Sequence, residues 1–346
     1  MDGLFRTHHK YFLPVWKGTG IHLFSILGGM KLFIRNLILF ASLSLLSGGL
    51  ILLAERLVLN YQNHFKLAKK DKYIFLGHSH AQMALNDSLI DSSINLASAG
   101  EAYFYTYIKL NKILESNPEK KVIFISYSNN NIVSEMNGWI WDDIHILDRY
   151  RLYYPYTQFN ETKLLYSKNP KTTLLCSVRA IVNNMYYIFN LKNISEHSKM
   201  GGYIYLERDK TDSLLKVISK SHEKIVTDTA VSWTNIAYLK KIIEVCRQRS
   251  IPVYLIRNPL HPKYQRLGNE FIFQEILHRE LTGVELLDFK DYPLKDSEYG
   301  DLEHLNYRGA RKYSRFIDGL LKKGLLEKEN KQKFIEDQMA TEQWQN

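Results

Sequence analysis

The stretch YIFLGHSHAQMALNDSLIDSSINLASAG, Tyr73 to Gly100, decides how the rest of the chain is read. Its apolar opening, Tyr73 to Leu76, reads as a short buried strand that stops at Gly77, and the chain then sets Ser79 between His78 and His80. A serine reached through a glycine at the carboxyl end of a strand is where several α/β folds hold a nucleophile. The turn by itself is common. A catalytic reading therefore needs a base, an orienting acid and oxyanion donors from elsewhere in the sequence.

Moving outward, strand-like and helix-like signals alternate, the pattern of a parallel α/β sheet. Expected strands are Tyr73–Leu76, Ser93–Leu96, Val122–Ser126, Val253–Ile256 and Val284–Asp288. Helical stretches fall near Tyr103–Leu114, Trp233–Arg249, Glu270–Leu281 and Arg308–Lys322. The result is five parallel strands with helices on both faces. Between the third and fourth strands lies a tyrosine-rich insertion, about residues 132–231, which contains Trp139-Ile140-Trp141. Connections of that length are lids or small subdomains. Its aromatics are read first as core, with stacking on sugar rings as the alternative. Residues 324–346 are polar and mixed in charge, and read as a solvated helix or frayed tail.

Upstream, Leu37 to Ala54 carries no charge, and Leu57 to Leu59 extend the run. Such a length is about the minimum for a helix crossing hydrocarbon. A buried core helix fits poorly, because no polar face recurs. A cleaved signal is the nearer rival, since Lys31 and Arg35 precede the run, yet no Ala-x-Ala-like exit follows. The expectation is an uncleaved anchor over residues 37–59, with residues 1–36 a cytoplasmic or upstream extension. Lys10, Lys17, Lys31 and Arg35 argue for an inside amino terminus, although Lys66, Lys69, Lys70 and Lys72 stand on the other flank. An outward-facing domain, periplasmic or extracellular, follows.

The net charge of +10 is scattered and interleaved with acids, without a basic stripe or zinc-ligand spacing. Nucleic acid is thus not an expected partner, and a basic surface near a membrane is. Cys176 and Cys246 are flanked by apolar residues and read as buried thiols, with a disulfide left open.

The missing base stands in DLEHLNYRGARKYSRFIDGLL, Asp301 to Leu321. An aspartate three residues before a histidine on a turn can take the Nδ1 proton, leaving Nε2 to accept a proton from a serine. Ser79 follows the first strand, NLASAGEA the second, ISYSNNNI the third and Asp301-x-x-His304 the fifth. All four lie at strand carboxyl ends, and those ends share one edge of a parallel sheet.

In these four blocks the chain resembles the SGNH/GDSL hydrolase superfamily over about residues 72–323. Ser79 matches the nucleophile block; Gly100, five after Asn95, matches the second; Asn129 matches the third; and Asp301 with His304, followed by Leu305-Asn306, matches the last. The chain departs from the pattern at His78 and His80, where the family usually has aspartate and leucine, and at Asn129-Asn130-Asn131, where the usual glycine is missing. These departures are similar to the membrane-anchored, cell-envelope branch that includes D-alanyl-lipoteichoic acid and polysaccharide O-acylation proteins. The resemblance implies a flavodoxin-like three-layer α/β/α sandwich and a Ser79–His304–Asp301 triad. It also implies an oxyanion hole from the backbone N–H groups of Ser79 and Gly100 and the Asn129 amide. No metal or cofactor is implied. His78, His80, Asn130 and Arg257, which follows the fourth strand, are candidate substrate contacts; the alternatives are packing, hydrogen bonding behind the site or a weakly signalled metal pair for the histidines, and a surface arginine in a proline-rich loop for Arg257. The implied substrate is an acylated carbohydrate. Three functions follow: an esterase, an O-acyltransferase using the same serine, or a binding protein on a degenerate hydrolase fold.

Overall fold

A computed structural model of the protein describes residues 19–61, 65–119, 121–189, 201–220 and 230–343. Five strands, β1 (Tyr73–Leu76), β2 (Ser93–Asn95), β3 (Val122–Ser126), β4 (Val253–Arg257) and β5 (Glu285–Asp288), form one sheet. Every pairing is parallel and the order is β2-β1-β3-β4-β5, the doubly wound arrangement also seen in flavodoxin.

Period-two alternation decides which side chain enters which layer. Ile74, Leu76, Ile123, Ile125 and Leu255 face one core, shared with helices α3 (Tyr103–Ser116), α7 (Trp233–Gln248) and α8 (Glu270–Glu280). Phe75, Phe124, Ile256 and Leu287 face the other, shared with α2 (Ser79–Ala84), α9 (Tyr307–Lys322) and α10 (Lys331–Gln343). Both faces are covered, and of the central strands β1 is apolar throughout while β3 and β4 are apolar until their last residues, Ser126 and Arg257. That is why they read as apolar runs.

The insertion leaves β3 and returns to α7 through an antiparallel bridge between Val133 and Val231. Within it lie α4 (Phe159–Lys168), α5 (Pro170–Phe189) and α6 (Thr211–Lys220). Ile140, Ile146, Tyr150 and Tyr153 are buried in the same core as β1 and β3. Trp139 and Trp141 pack partly buried against that core, so these aromatics serve packing, whereas Phe159, Tyr186, Phe189 and Tyr205 are exposed. Residues 190–200 and 221–229 of the expected insertion lie outside the described residues.

Two boundaries differ from the sequence reading. The first helix, α1, runs Thr19–Tyr61, and its apolar window is Gly29–Glu55, starting before the expected residue 37. Lys31 and Arg35 lie inside that window. Among the described residues this is the one helix long and apolar enough to cross a membrane. Residues 1–18 of the expected extension lie outside the described residues. At the other end, of the two alternatives read for the tail, the helix is found, and it is packed on the domain and not solvated all round. Ile335 of α10 is wholly buried in the second core, with Phe334 and Met339 packed beside it. Gln332 donates to the carbonyl of Asp288 at 3.1 Å and accepts from its N–H at 2.9 Å, bonding the helix to β5. Three apolar positions at helical spacing sufficed, and the charged residues around them concealed the pattern.

Cys176 and Cys246 are buried and unpaired. Burial pushes the Cys246 thiol up to about 12, so it is unreactive.

Candidate active site

Gly77 ends β1 with φ +122°, and a Cβ there would stand 2.7 Å from the Ser126 Cβ on the neighbouring strand. Only glycine lets the chain turn between β1 and β3 at that point. The turn delivers Ser79 to the first residue of α2. Asn95 holds that helix from below: its Nδ2 donates to the carbonyls of Ala81 at 2.9 Å and Leu85 at 2.7 Å. Its Oδ1 accepts from Ala97 N–H at 2.9 Å.

From the far end of the domain, the last block arrives on a turn organised by Asp301. Its Oδ1 accepts from the backbone N–H groups of Glu303 at 2.9 Å and His304 at 2.8 Å. The same oxygen lies 3.0 Å from His304 Nδ1. His304 Nε2 lies 2.8 Å from Ser79 Oγ across 225 positions of sequence. With the ring proton on Nδ1, facing the carboxylate, Nε2 is left as the acceptor for the serine hydroxyl. Burial alone would raise the Asp301 pKa. The hydrogen bond and charge of His304, the Glu303 N–H and the Arg208 guanidinium outweigh it and hold the carboxyl at about 2. Ser79 is 9% exposed.

The second block lies beside this pair. Ser98 N–H donates to the Gly77 carbonyl at 2.9 Å, and Ala99 N–H donates to Gln82 Oε1 at 2.7 Å. Gly100 follows with φ +70°. Glu101 fixes the loop from inside, accepting from Thr106 Oγ1 and Lys109 Nζ at 2.7 Å each and from Tyr153 Oη at 2.6 Å. Arg149 covers the outside, its Nη1 donating to Ser98 Oγ at 2.7 Å. A Cβ on Gly100 would come 3.3 Å from the same guanidinium.

The third block does not follow the expectation. Asn129, Asn130 and Asn131 form one 3₁₀ turn after β3, and such a turn sends successive side chains about 120° apart. Asn129 is wholly buried: its amide donates to Asn269 at 2.9 Å and Glu270 at 3.0 Å, and its oxygen accepts from Arg257. Its donor hydrogens are committed there, so the expected oxyanion role is corrected. Arg257 is corrected with it. The guanidinium is fully buried among Asn129, Glu270 and Asp288 and stacks on Phe273, out of reach of a substrate. Asn131 turns back to accept from Ser128 N–H and to meet His78 Nε2, both at 2.9 Å. Asn130 accepts from Ser128 Oγ at 2.7 Å, and its amide nitrogen lies 3.4 Å from His80 Nε2.

His78 is completely buried, so the packing alternative applies to it, and a substrate contact does not. Burial, reinforced by the neighbouring His80 and His304, keeps it well below its ordinary pKa and therefore neutral. His80 is also buried, its ring 5.4 Å from that of His304 and edge-on to it. Its Nδ1 meets Ser128 Oγ at 3.2 Å, and its Nε2 lies 3.5 Å from Glu303 Oε2. Burial lowers its pKa, and the Glu303 carboxylate offsets part of that. Glu303, held at about 2 against burial by His80, His304 and Tyr264, was not singled out in the sequence because it sits inside Asp-x-x-His as an unremarked x. One ligand atom each from His80, Glu303 and His304 falls within 4.8 Å of the others, a spacing that a divalent cation could bridge. A cation there would have to share or displace the His304 Nε2 contact to Ser79.

A second missed element is the strap formed by residues 201–210. Gly202 N–H donates to Ala97 O at 3.0 Å and Ile204 N–H to Gln82 O at 3.2 Å. Farther along, Leu206 O accepts from Tyr307 at 2.9 Å and Lys210 N–H donates to Gly300 O at 3.0 Å. The strap thus connects the second block to the last and brings Arg208 into an ion pair with Asp301, 3.3 Å from His304 Nδ1. Extended chain of mixed composition carries no period, which is why no sequence signal marked it.

A family model without a functional description matches residues 198–326, from the strap through β4, β5 and the Asp301 turn to α9 and the residues just beyond it. No curated protein matches the chain.

Proposed function

We propose that this protein is a membrane-anchored serine acyl-ester enzyme of the SGNH type, acting on O-acylated envelope carbohydrate with its domain outside the cytoplasm. One observation carries the reading: a serine hydroxyl 2.8 Å from an imidazole whose other nitrogen faces a carboxylate at 3.0 Å, at the carboxyl edge of a parallel sheet. His304 takes the Ser79 proton as Oγ attacks the ester carbonyl. The oxyanion is met by the backbone N–H groups of Ser79 and Gly100. His304 then returns the proton to the departing alkoxide, leaving an acyl-serine. Water completes hydrolysis; a sugar hydroxyl in its place gives transfer. Hydrolysis is the first reading, transfer the alternative, and a degenerate binding protein the third. The intact triad argues against the last.

The test is a fluorophosphonate probe on the full-length protein in detergent, followed by peptide mass spectrometry. An adduct on Ser79, lost in Ser79→Ala, is expected. An intact, folded protein that takes no adduct would overturn the reading. Turnover of a p-nitrophenyl ester with and without an oligosaccharide acceptor separates hydrolysis from transfer.

A further inference from the structure

Helix α5, Pro170–Phe189, is amphipathic in an unusual sense, because both of its long faces carry apolar residues. The inward face is settled. Thr173, Cys176, Ser177 and Ala180 are buried, with Cys176 Sγ donating to Ile146 O at 3.3 Å and Ser177 Oγ to Tyr150 Oη at 3.4 Å. The outward face presents Leu174, Leu175, Val178, Val182 and Phe189, between 44% and 77% exposed. These positions fall within about 100° of helical arc, a continuous apolar stripe and not scattered single residues. Lys171 and Arg179 are also exposed, and the helix contains no acidic residue.

What covers this stripe is indicated by where the helix is attached. Asn184 Nδ2 donates to Glu55 Oε1 at 2.5 Å, and Glu55 is buried. Glu55 is also the last residue of the Gly29–Glu55 apolar window. A chain that spans a bilayer must leave it at the end of that window, so the carboxyl-terminal half of α5 is tied to the exit point. We infer that α5 is an interfacial helix that lies in the headgroup region of the membrane, its apolar stripe among the upper acyl chains. Lys171 and Arg179 meet anionic lipid phosphates. Amphipathic helices rich in basic residues and free of acids bind surfaces in this way, by buried apolar area together with attraction to anionic lipid. The inference rests on α1 spanning the membrane and is independent of the chemistry of Ser79.

Nitroxide accessibility on the full-length protein in liposomes of phosphatidylcholine and phosphatidylglycerol tests it. Val178→Cys, Val182→Cys and Leu174→Cys are labelled one at a time, with Phe271→Cys on α8, 79% exposed, as the aqueous control and the unmodified chain as background for the two buried cysteines. Three positions guard against a label that disturbs the fold. The expected result is a higher ratio of oxygen to nickel-chelate collisions on α5 than at position 271, and a lower ratio when phosphatidylglycerol is omitted. Nickel-chelate collisions equal to those at position 271 would overturn the inference. Shielding from both reagents would also overturn it, by showing that protein, either a second copy or another membrane protein, covers the stripe.

Discussion

Two charged networks stand at the carboxyl edge of the sheet, and they look alike until the groups they end on are compared. In one, Asp301 pairs with Arg208 and holds His304 against Ser79. In the other, Glu270 and Asp288 pair with Arg257, which holds Asn129. Asp301 and Glu270 both sit at about 2, each by virtue of hydrogen bonds and charge that overcome burial. The first network ends in a serine hydroxyl set against His304 Nε2; the second ends in the Asn129 amide, with Arg257 at 0% exposure although the Glu270 side chain is 38% exposed. A perturbed carboxylate therefore does not distinguish chemistry from structure. The proposed chemistry rests instead on an imidazole nitrogen aimed at a serine hydroxyl.

The comparison is broken most directly by truncating each network. Ser79→Ala or His304→Ala is expected to lower ester turnover by a factor on the order of 10⁴ or more while the thermal midpoint stays near that of the parent. Arg257→Ala should do the reverse. Removing one partner of a buried ion pair costs about 3–5 kcal/mol, read by denaturant unfolding, and turnover per folded molecule should hold. If Arg257→Ala abolished turnover without loss of stability, the two networks would have to exchange roles.

Asp301→Asn sharpens the contrast, since it keeps the turn's acceptor oxygen but not the charge. Turnover is expected to fall by about 10⁴-fold through the wrong tautomer of His304. Arg208→Met, which removes the partner of Asp301, should cost on the order of tenfold, about 1.4 kcal/mol of barrier. Equal losses in these two variants would mean that the guanidinium acts on the substrate itself.

Stability against pH offers a smaller effect. His78 and His80 have folded pKa values below the ordinary 6.5, so the unfolded chain binds protons first as pH falls. Their neutral burial contributes stability that is fully present above about pH 6.5 and is lost as pH drops below it. The Asp301, Glu303 and Glu270 carboxyls, held at about 2, contribute stability that is lost only below about pH 4.5. Melting followed from pH 8 to pH 4 should show a first decline near pH 6.5, reduced in His78→Gln, and then a steeper one. A single decline near pH 4.5 would show that the buried histidines do not titrate on unfolding. Smallest of all, EDTA should leave turnover unchanged, whereas added Zn²⁺ should inhibit by drawing His304 toward His80 and Glu303. Activation by Zn²⁺ would instead make that trio a working metal centre.

Much of the scaffold could be read from residue type alone. Each β-strand appeared within a residue or two of its expected place; the central strands β1, β3 and β4 are covered on both sides and leave apolar runs. Ser79, Asp301 and His304 could be paired from opposite ends of the domain because a parallel sheet gathers its carboxyl ends. The three asparagines could not be told apart. Identical residues in a 3₁₀ turn point in three directions, and only the neighbours in space, Arg257, His80 and His78, sort them. Arg208 and Glu303 were illegible for a related reason: their roles depend on the crossing of the strap and on a histidine 223 positions away. Helix α10 was concealed by charge, its three inward residues diluted among polar ones.

The bridge between Val133 and Val231 has a consequence for how the protein can change over time. Because the inserted segment departs and rejoins at adjacent points, it can be exchanged as a cassette without shifting the register of the strands. That cassette includes Arg208. A replacement would therefore also reset the electrostatic support of Asp301, so that under the proposed function a change in the insertion and a change in the tuning of the triad would be inherited together.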